Sequence, residues 1–310
     1  MESSDLGTDT AGGLGGVLPV VQMPFHPDES IDFDTLRSEV DHLLSRGADG
    51  VTLAMVSEIL RLTTAERMTV ADALCGSVRG RGTCVISCGA ESTFAAVEFA
   101  RHAQAVGASA VMAIPPVTTT VLADELCRYF DALVTAVELP IVVQDASGYV
   151  GAPIGVGPMA EIMRRFGPER IYFKPEAVPI GPQLTALREA TSGQARVFEG
   201  SGGIALVDSY RRGIVGTMPG ADLIDAIVGL WQALRRGDDD AAYEISLPLS
   251  SLVSLQSGLD GFLAVEKYLL CRQGVFRNEV VRGPVGFRLD EETRQEVDRL
   301  YCRLEEVLSR

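Results

Sequence analysis

The chain has 310 residues, 46% hydrophobic and 22% charged, with a formal net charge of −15, a mean hydropathy of +0.18 and an isoelectric point near 4.7. That length suits one large α/β domain, or a domain with an appendage, and is ample for a sizeable core. The acidic balance argues against nucleic acid as a partner, and no run of about 18 apolar residues is free of charges and breakers, so no membrane span is expected.

Residues 1–16, MESSDLGTDTAGGLGG, carry neither the basic nor the apolar region of a secretory signal and read as a disordered Gly-rich tail. Beyond them two textures alternate. Short apolar or β-branched runs appear at VLPVVQMPF, GVTLAM, TCVISCG, AVMAIPP, LPIVVQDAS, RIYFKPE, ARVFEGSGG and GTMPG. Between and after them lie amphipathic segments: FDTLRSEVDHLLSRG, TAERMTVADALCGSVRG, TFAAVEFARHAQAVG, LADELCRYFDALVTAV, GPMAEIMRRFG, PQLTALREATSG, IALVDSYRRG and LIDAIVGLWQALRRG. Eight strand-like runs, each followed by a helical pattern and each too apolar to be half exposed, describe parallel strands covered on both faces. Eight such units over about 220 residues have the size of a closed (β/α)8 TIM barrel. An open doubly wound sheet is the competitor, but the turn after its first strand would carry GxGxxG, and here it reads MPFHPDES. The barrel is therefore placed at 17–237. Residues 238–310 form a C-terminal helical extension, with three helical segments and a loop from Arg277 to Leu289, that must pack on the barrel or on a neighbouring subunit.

Six cysteines, Cys75, Cys84, Cys88, Cys127, Cys271 and Cys302, make no CxxC pair and stand at no zinc-ligand spacing. They read as reduced, small core residues of a cytoplasmic protein, and neither a metal nor a cofactor is expected. His42 and His102 fall in helical patterns as surface or packing residues. Lysine is the unusual entry: of 27 basic residues only Lys174 and Lys267 are lysine. Where arginine is the default surface cation, a retained lysine points to work that arginine, which keeps its proton, cannot do.

Chemistry in such a barrel sits at the C-terminal ends of the strands, and there the sequence places Lys174, after Ile171, Tyr172 and Phe173. An amine in that wall is partly desolvated and available to attack a carbonyl. The competing reading is an ion pair with Glu176 or Glu199. Lys267 lies mid-helix beside Glu266 and reads as packing or a surface pair. Gly200, Gly202 and Gly203 in FEGSGG permit close approach of a ligand and, opening the seventh helix, would present N–H groups to a carboxylate.

Together these pieces resemble the dihydrodipicolinate synthase / N-acetylneuraminate lyase family of class I aldolases, across residues 17–275. The resemblance rests on MPF-x-PDxSIDFDTLRSEVDHLLSRGADGV, on SEILRLTTAER where the family has TGE-x-x-x-LS-x-x-ER, on HAQAVGASAVMAIPP, on LPIVVQDASGYVG where the family has LPIxxYNxPxRTG, and on IYFKPE around the lysine. It implies a (β/α)8 barrel with C-terminal helices, assembled as a dimer or tetramer, in which Lys174 forms a Schiff base with a 2-keto acid such as pyruvate. The departures are as informative. Gln144 stands where the family's proton-relaying tyrosine would be, and an amide is a poor proton shuttle near neutral pH. Met55-Val56 replace the paired hydroxyl residues that bind the keto-acid carboxylate, leaving Ser57 as the nearest hydroxyl. Val117 replaces the tyrosine shared between subunits, and Tyr149 the arginine that grips the substrate carboxylate. Glu58 reads as structural, like its family counterpart.

The expectation is a Schiff-base lyase, aldolase or dehydratase, on a 2-keto acid, and not a genuine dihydrodipicolinate synthase. The alternative is a silent paralogue that binds a keto acid or a protein partner. Lys174, Gln144 and Asp145 are the catalytic candidates, with Asp145 either a general base or a cap for the loop after it. His26 is a further group available for a relay. Ser57, Val56, Tyr149, Glu199, Ser201, Gly202 and Met218 are the substrate-binding candidates.

Overall fold

The structure, a computed structural model, describes residues 13–148 and 150–310. Eight strands, β1 (Gly16–Val17), β2 (Gly50–Leu53), β3 (Thr83–Ser87), β4 (Ala110–Ala113), β5 (Ile141–Asp145), β6 (Ile171–Pro175), β7 (Arg196–Glu199) and β8 (Gly216–Thr217), pair in parallel. They alternate with α1 (Phe33–Ser45), α2 (Thr64–Val78), α3 (Thr93–Ala105), α4 (Ala123–Ala136), α5 (Val156–Phe166), α6 (Ile180–Ala190), α7 (Leu206–Arg211) and α8 (Ile224–Arg236). The sheet closes where Gly16 pairs with Gly216 and Val20 bridges both Thr52 and Gly220. This is the expected (β/α)8 barrel.

Helix starts follow local chemistry. The Asp32 side chain accepts from the Thr35 N–H at 2.9 Å, and Thr63 with Glu66 forms a reciprocal capping box at the head of α2. Strand alternation divides the core in two. Val20, Val85, Met112, Val142, Tyr172 and Phe198 fill the barrel interior, while the opposite faces pack under the helices. Part of the expected tail belongs to this core. Gly16 is in β1, and the Leu14 N–H donates to the Tyr172 hydroxyl at 3.2 Å. Residues 1–12 lie outside the described residues.

Three helices follow the barrel: α9 (Asp239–Val253), α10 (Gly258–Arg272) and α11 (Glu291–Leu308). α9 packs on α8, and α11 on both. α10 reaches the 3-10 turn Met55–Ser57 after β2 and buries Leu263 among the barrel-interior side chains, so it lies across the mouth of the barrel. No helix among the described residues is long and apolar enough to cross a membrane. The cysteines divide: Cys75, Cys84 and Cys88 are buried, Cys127 and Cys271 are half-buried, and Cys302 is exposed rather than in the core.

Candidate active site

Period-two alternation decides which strand-end residues reach the mouth. On β5, Val142 and Gln144 face inward, and on β6, Tyr172 and Lys174 do the same. The register sets Gln144 directly beside Lys174. Two residues on, Glu176 continues the inward face. Its Oε1 lies 3.3 Å from the Lys174 ammonium and its Oε2 accepts from the Gln144 Nε2 at 2.7 Å. Of the two partners considered for Lys174, Glu176 is the one in contact. Burial raises the Glu176 carboxyl above its ordinary range, against the opposing pull of Lys174 and the Gln144 hydrogen bond. The Gln144 Oε1 is buried with no partner.

These side chains line a cavity of about 20 Å³, room for about one water. Val56, Met55, Ala54, Val20, Met218 and Phe262 make its apolar wall, Gly200, Gly202 and Gly220 its close-packed edge, and Glu266 from α10 its fourth polar group. Gly200 is required there, since a Cβ would stand 2.6 Å from Lys174 Cε and 2.8 Å from Glu176 Oε1.

Of the candidates from sequence, Lys174, Gln144, Val56, Gly202 and Met218 come together at this cavity. Asp145, Glu199, Ser201 and Ser57 point elsewhere. Asp145 follows Gln144 and so faces the opposite side; its carboxylate accepts from the Ser147 and Ile154 N–H groups, both at 3.0 Å. It caps the following loop, and the general-base role does not fit its position. Glu199 is likewise turned outward, accepting from the Ser201 N–H at 2.5 Å and the Thr217 hydroxyl at 3.0 Å. Ser201 stays in the turn, its Oγ accepting from the Ala205 N–H at 2.8 Å. The seventh helix begins only at Leu206, so the Gly-rich segment precedes a turn rather than opening that helix. Ser57 pins the loop after β2, its Oγ donating to the Val21 carbonyl at 2.5 Å and accepting from the Ala54 N–H at 3.1 Å. His26 is exposed, 3.9 Å from Asp32. Tyr149 lies outside the described residues.

Lys267 is fully buried, which decides between packing and a surface pair. Its partner is Glu58, at 2.5 Å, rather than the adjacent Glu266. Its ammonium also donates to the Val280 carbonyl at 2.6 Å and lies 4.8 Å from the centre of the Phe25 ring. Glu58 accepts in addition from the Arg282 N–H at 3.1 Å, joining α10, the turn after β2 and the loop before α11.

Two polar residues of the cavity, Glu176 and Glu266, were not among the catalytic or binding candidates. Glu176 carried a signal, because it stands two positions after Lys174 and shares its face. Glu266 carried none, because only the packing of α10 across the mouth brings it there. The lining thus combines one amine with two buried carboxyl groups, a set suited to imine formation and proton transfer.

The model of the dihydrodipicolinate synthetase family matches residues 13–302. The L-2-keto-3-deoxyarabonate dehydratase of Azospirillum brasilense is 29% identical over 304 residues, 95% of this chain and 96% of that protein. A probable 2-dehydro-3-deoxy-D-pentonate aldolase of Escherichia coli is 33% identical over 139 residues, 44% of this chain and 46% of that protein. The crystal structure of dihydrodipicolinate synthase from Rhodopseudomonas palustris superposes with a TM-score of 0.85 at 25% identity, covering 94% of this chain and 98% of that one. The named relatives are thus a dehydratase, a probable aldolase and a synthase, and the chain belongs to the dihydrodipicolinate synthetase family.

Proposed function

We propose that the protein is a lyase, aldolase or dehydratase, that binds a 2-keto acid as a Schiff base on Lys174, and that it is not a genuine dihydrodipicolinate synthase. The observation that carries this reading is the Lys174 amine, buried at the barrel mouth and facing the cavity with Glu176 at 3.3 Å. A lysine must shed a proton before it attacks a carbonyl. Glu176, whose burial raises its carboxyl's affinity for protons, is the acceptor within reach. The unpartnered Gln144 Oε1 is placed to accept a hydrogen bond from the hydroxyl formed at C2 when the amine adds. Once the imine forms, its cationic nitrogen draws electrons from C3, and bonds one carbon further on break either to carbon or to oxygen.

The dehydratase and aldolase relatives support a 2-keto-3-deoxy sugar acid as substrate. The cavity of about 20 Å³ is smaller than any such acid, so binding requires its wall to open, and the flexible Met55 and Met218 side chains are suited to move. Six unpaired cysteines fit a reducing, cytoplasmic setting, and family resemblance supports a homo-oligomer. The test is borohydride reduction after incubation with pyruvate and a panel of 2-keto-3-deoxy acids, followed by peptide mass spectrometry. A reduced adduct on Lys174, lost in K174R, is the expected result. Folded protein that gives no adduct with any of them sinks the reading.

A further inference from the structure

Imine formation needs two kinds of proton transfer: one away from the lysine, and one onto the hydroxyl that leaves C2. Both oxygens of Glu176 are occupied, one by the Lys174 ammonium and one by the Gln144 amide, which is the arrangement of an ionised acceptor. The second carboxyl group in the cavity is differently held. Glu266 Oε2 accepts from the Gln22 side-chain amide, and Oε1 lies over Gly220, where a Cβ would stand 2.5 Å away. Gly220 itself lines the cavity. Two of the charges near Glu266, Asp222 and Glu39, are of its own sign. Asp222 Oδ1 approaches the same point of Gly220 to 2.9 Å. The Gln22 N–H donates at 2.7 Å to Glu39, whose other oxygen is buried without a partner. Burial first, then Asp222 and Glu39, push the Glu266 carboxyl well above its ordinary range, with Gln22 and Lys174 opposing. A carboxyl crowded in this way holds its proton more tightly than an ordinary one and is suited to give and take it beside the cavity.

We propose that Glu266, supplied by the C-terminal helix α10, is the general acid and base of the Lys174 site. The inference rests on the Schiff-base reading. The Lys174 amine adds to the C2 carbonyl of the bound keto acid. The carbinolamine C–O bond then breaks as its hydroxyl takes the Glu266 proton and departs as water, leaving a cationic iminium and a Glu266 carboxylate. That carboxylate removes a proton from C3; the C–H electron pair forms the C2–C3 double bond of a neutral enamine, and Glu266 is an acid again. The C-terminal extension thus completes the active site and does more than cover the barrel.

Pyruvate is the probe, because its methyl group is C3 and exchanges hydrogen for deuterium only when the iminium loses and regains a proton. With wild-type protein in heavy water, exchange is followed by NMR, and borohydride trapping is read on the same samples. E266Q keeps the shape and the Gln22 neighbour but cannot shuttle a proton. It is expected to form the trapped adduct on Lys174 more slowly, reaching it only on long incubation, while exchange falls about 100-fold. E266Q exchanging as fast as wild type overturns the role of Glu266 and leaves the Schiff-base reading standing. Wild-type protein that gives no adduct overturns that reading, and the role of Glu266 with it. Should circular dichroism find E266Q unfolded, E266D decides. A carboxyl withdrawn by one methylene is expected to slow exchange about tenfold with the adduct retained, and an undiminished rate counts against the proposal.

Discussion

Both lysines of this chain are buried beside a glutamate, and what surrounds each ammonium separates them. Lys267 is enclosed: Glu58 and the Val280 carbonyl accept its protons at 2.5 and 2.6 Å, and the Phe25 ring lies at 4.8 Å. Lys174 meets one carboxylate at a looser 3.3 Å and borders a cavity. Burial lowers the Lys267 affinity for its proton against the opposing pull of Glu58, and the amine is fully buried against Glu58, Val280 and Phe25. A buried lysine is thus not thereby a reactive one. Reactivity needs a partner that can take the proton and space for the electrophile, and the barrel mouth supplies both.

The largest effects test that contrast directly. K174M is expected to abolish keto-acid trapping and lyase turnover, read by intact mass and by product analysis. Its stability loss should be smaller than that of K267M, because Glu176, already raised by burial, can neutralise itself by taking a proton. K267M is expected to keep Lys174 trappable and to lose about 3 kcal/mol in urea unfolding, since buried Glu58 loses its nearest cation and keeps only Arg61 at 3.5 Å. If K267M also abolishes trapping in folded protein, the division into a chemical and a structural lysine is wrong.

G200A sharpens the same contrast more gently. Its Cβ would stand 2.6 Å from Lys174 Cε and 2.8 Å from Glu176 Oε1, so one of the pair must shift. Turnover is expected to fall about tenfold, with a stability loss of about 1 kcal/mol. Wild-type kinetics for G200A would mean that the spacing of the Lys174–Glu176 pair is not critical.

How much of this was legible in the sequence follows from the range of each signal. The strands and helices are local patterns of period 2 and 3.6; seven of the eight strand-like runs contain a whole strand, and the first holds Val17 of β1 and the bridging Val20. Lys174 was visible through composition and its place at a strand end. Residue type and place leave Asp145 between base and cap and make Glu199 a binding candidate, although alternation holds the answer: each is one residue from an inward-facing neighbour, Gln144 or Phe198, and so points away. The loop after Asp145 also supplies the N–H groups that hold its carboxylate. Glu266 was not legible at all. Its role depends on α10 crossing the mouth, a long-range contact that no local pattern encodes.

The smallest effect concerns the acid cluster behind the cavity. Burial pushes the Asp222 carboxyl from its ordinary 3.8 up to about 7, against the Gln256 amide that donates to it at 3.1 Å. A carboxyl whose proton affinity rises on folding leaves the native state holding more protons than the unfolded chain between those two values. Unfolding free energy therefore declines as pH rises from about 4 to about 7 and levels off above. Glu66 works in a separate window: the Arg282 hydrogen bond lowers it from 4.5 to about 2, so its contribution is lost only as pH falls through that lower range. Urea unfolding at intervals from pH 5 to 8 isolates the first group. D222N, which cannot ionise, is expected to show a shallower decline than wild type, with the two curves diverging most below pH 7. Part of the decline should survive in D222N, because Glu266 and Glu39 are raised in the same direction. Parallel curves would mean that Asp222 is already ionised in the folded protein at pH 5.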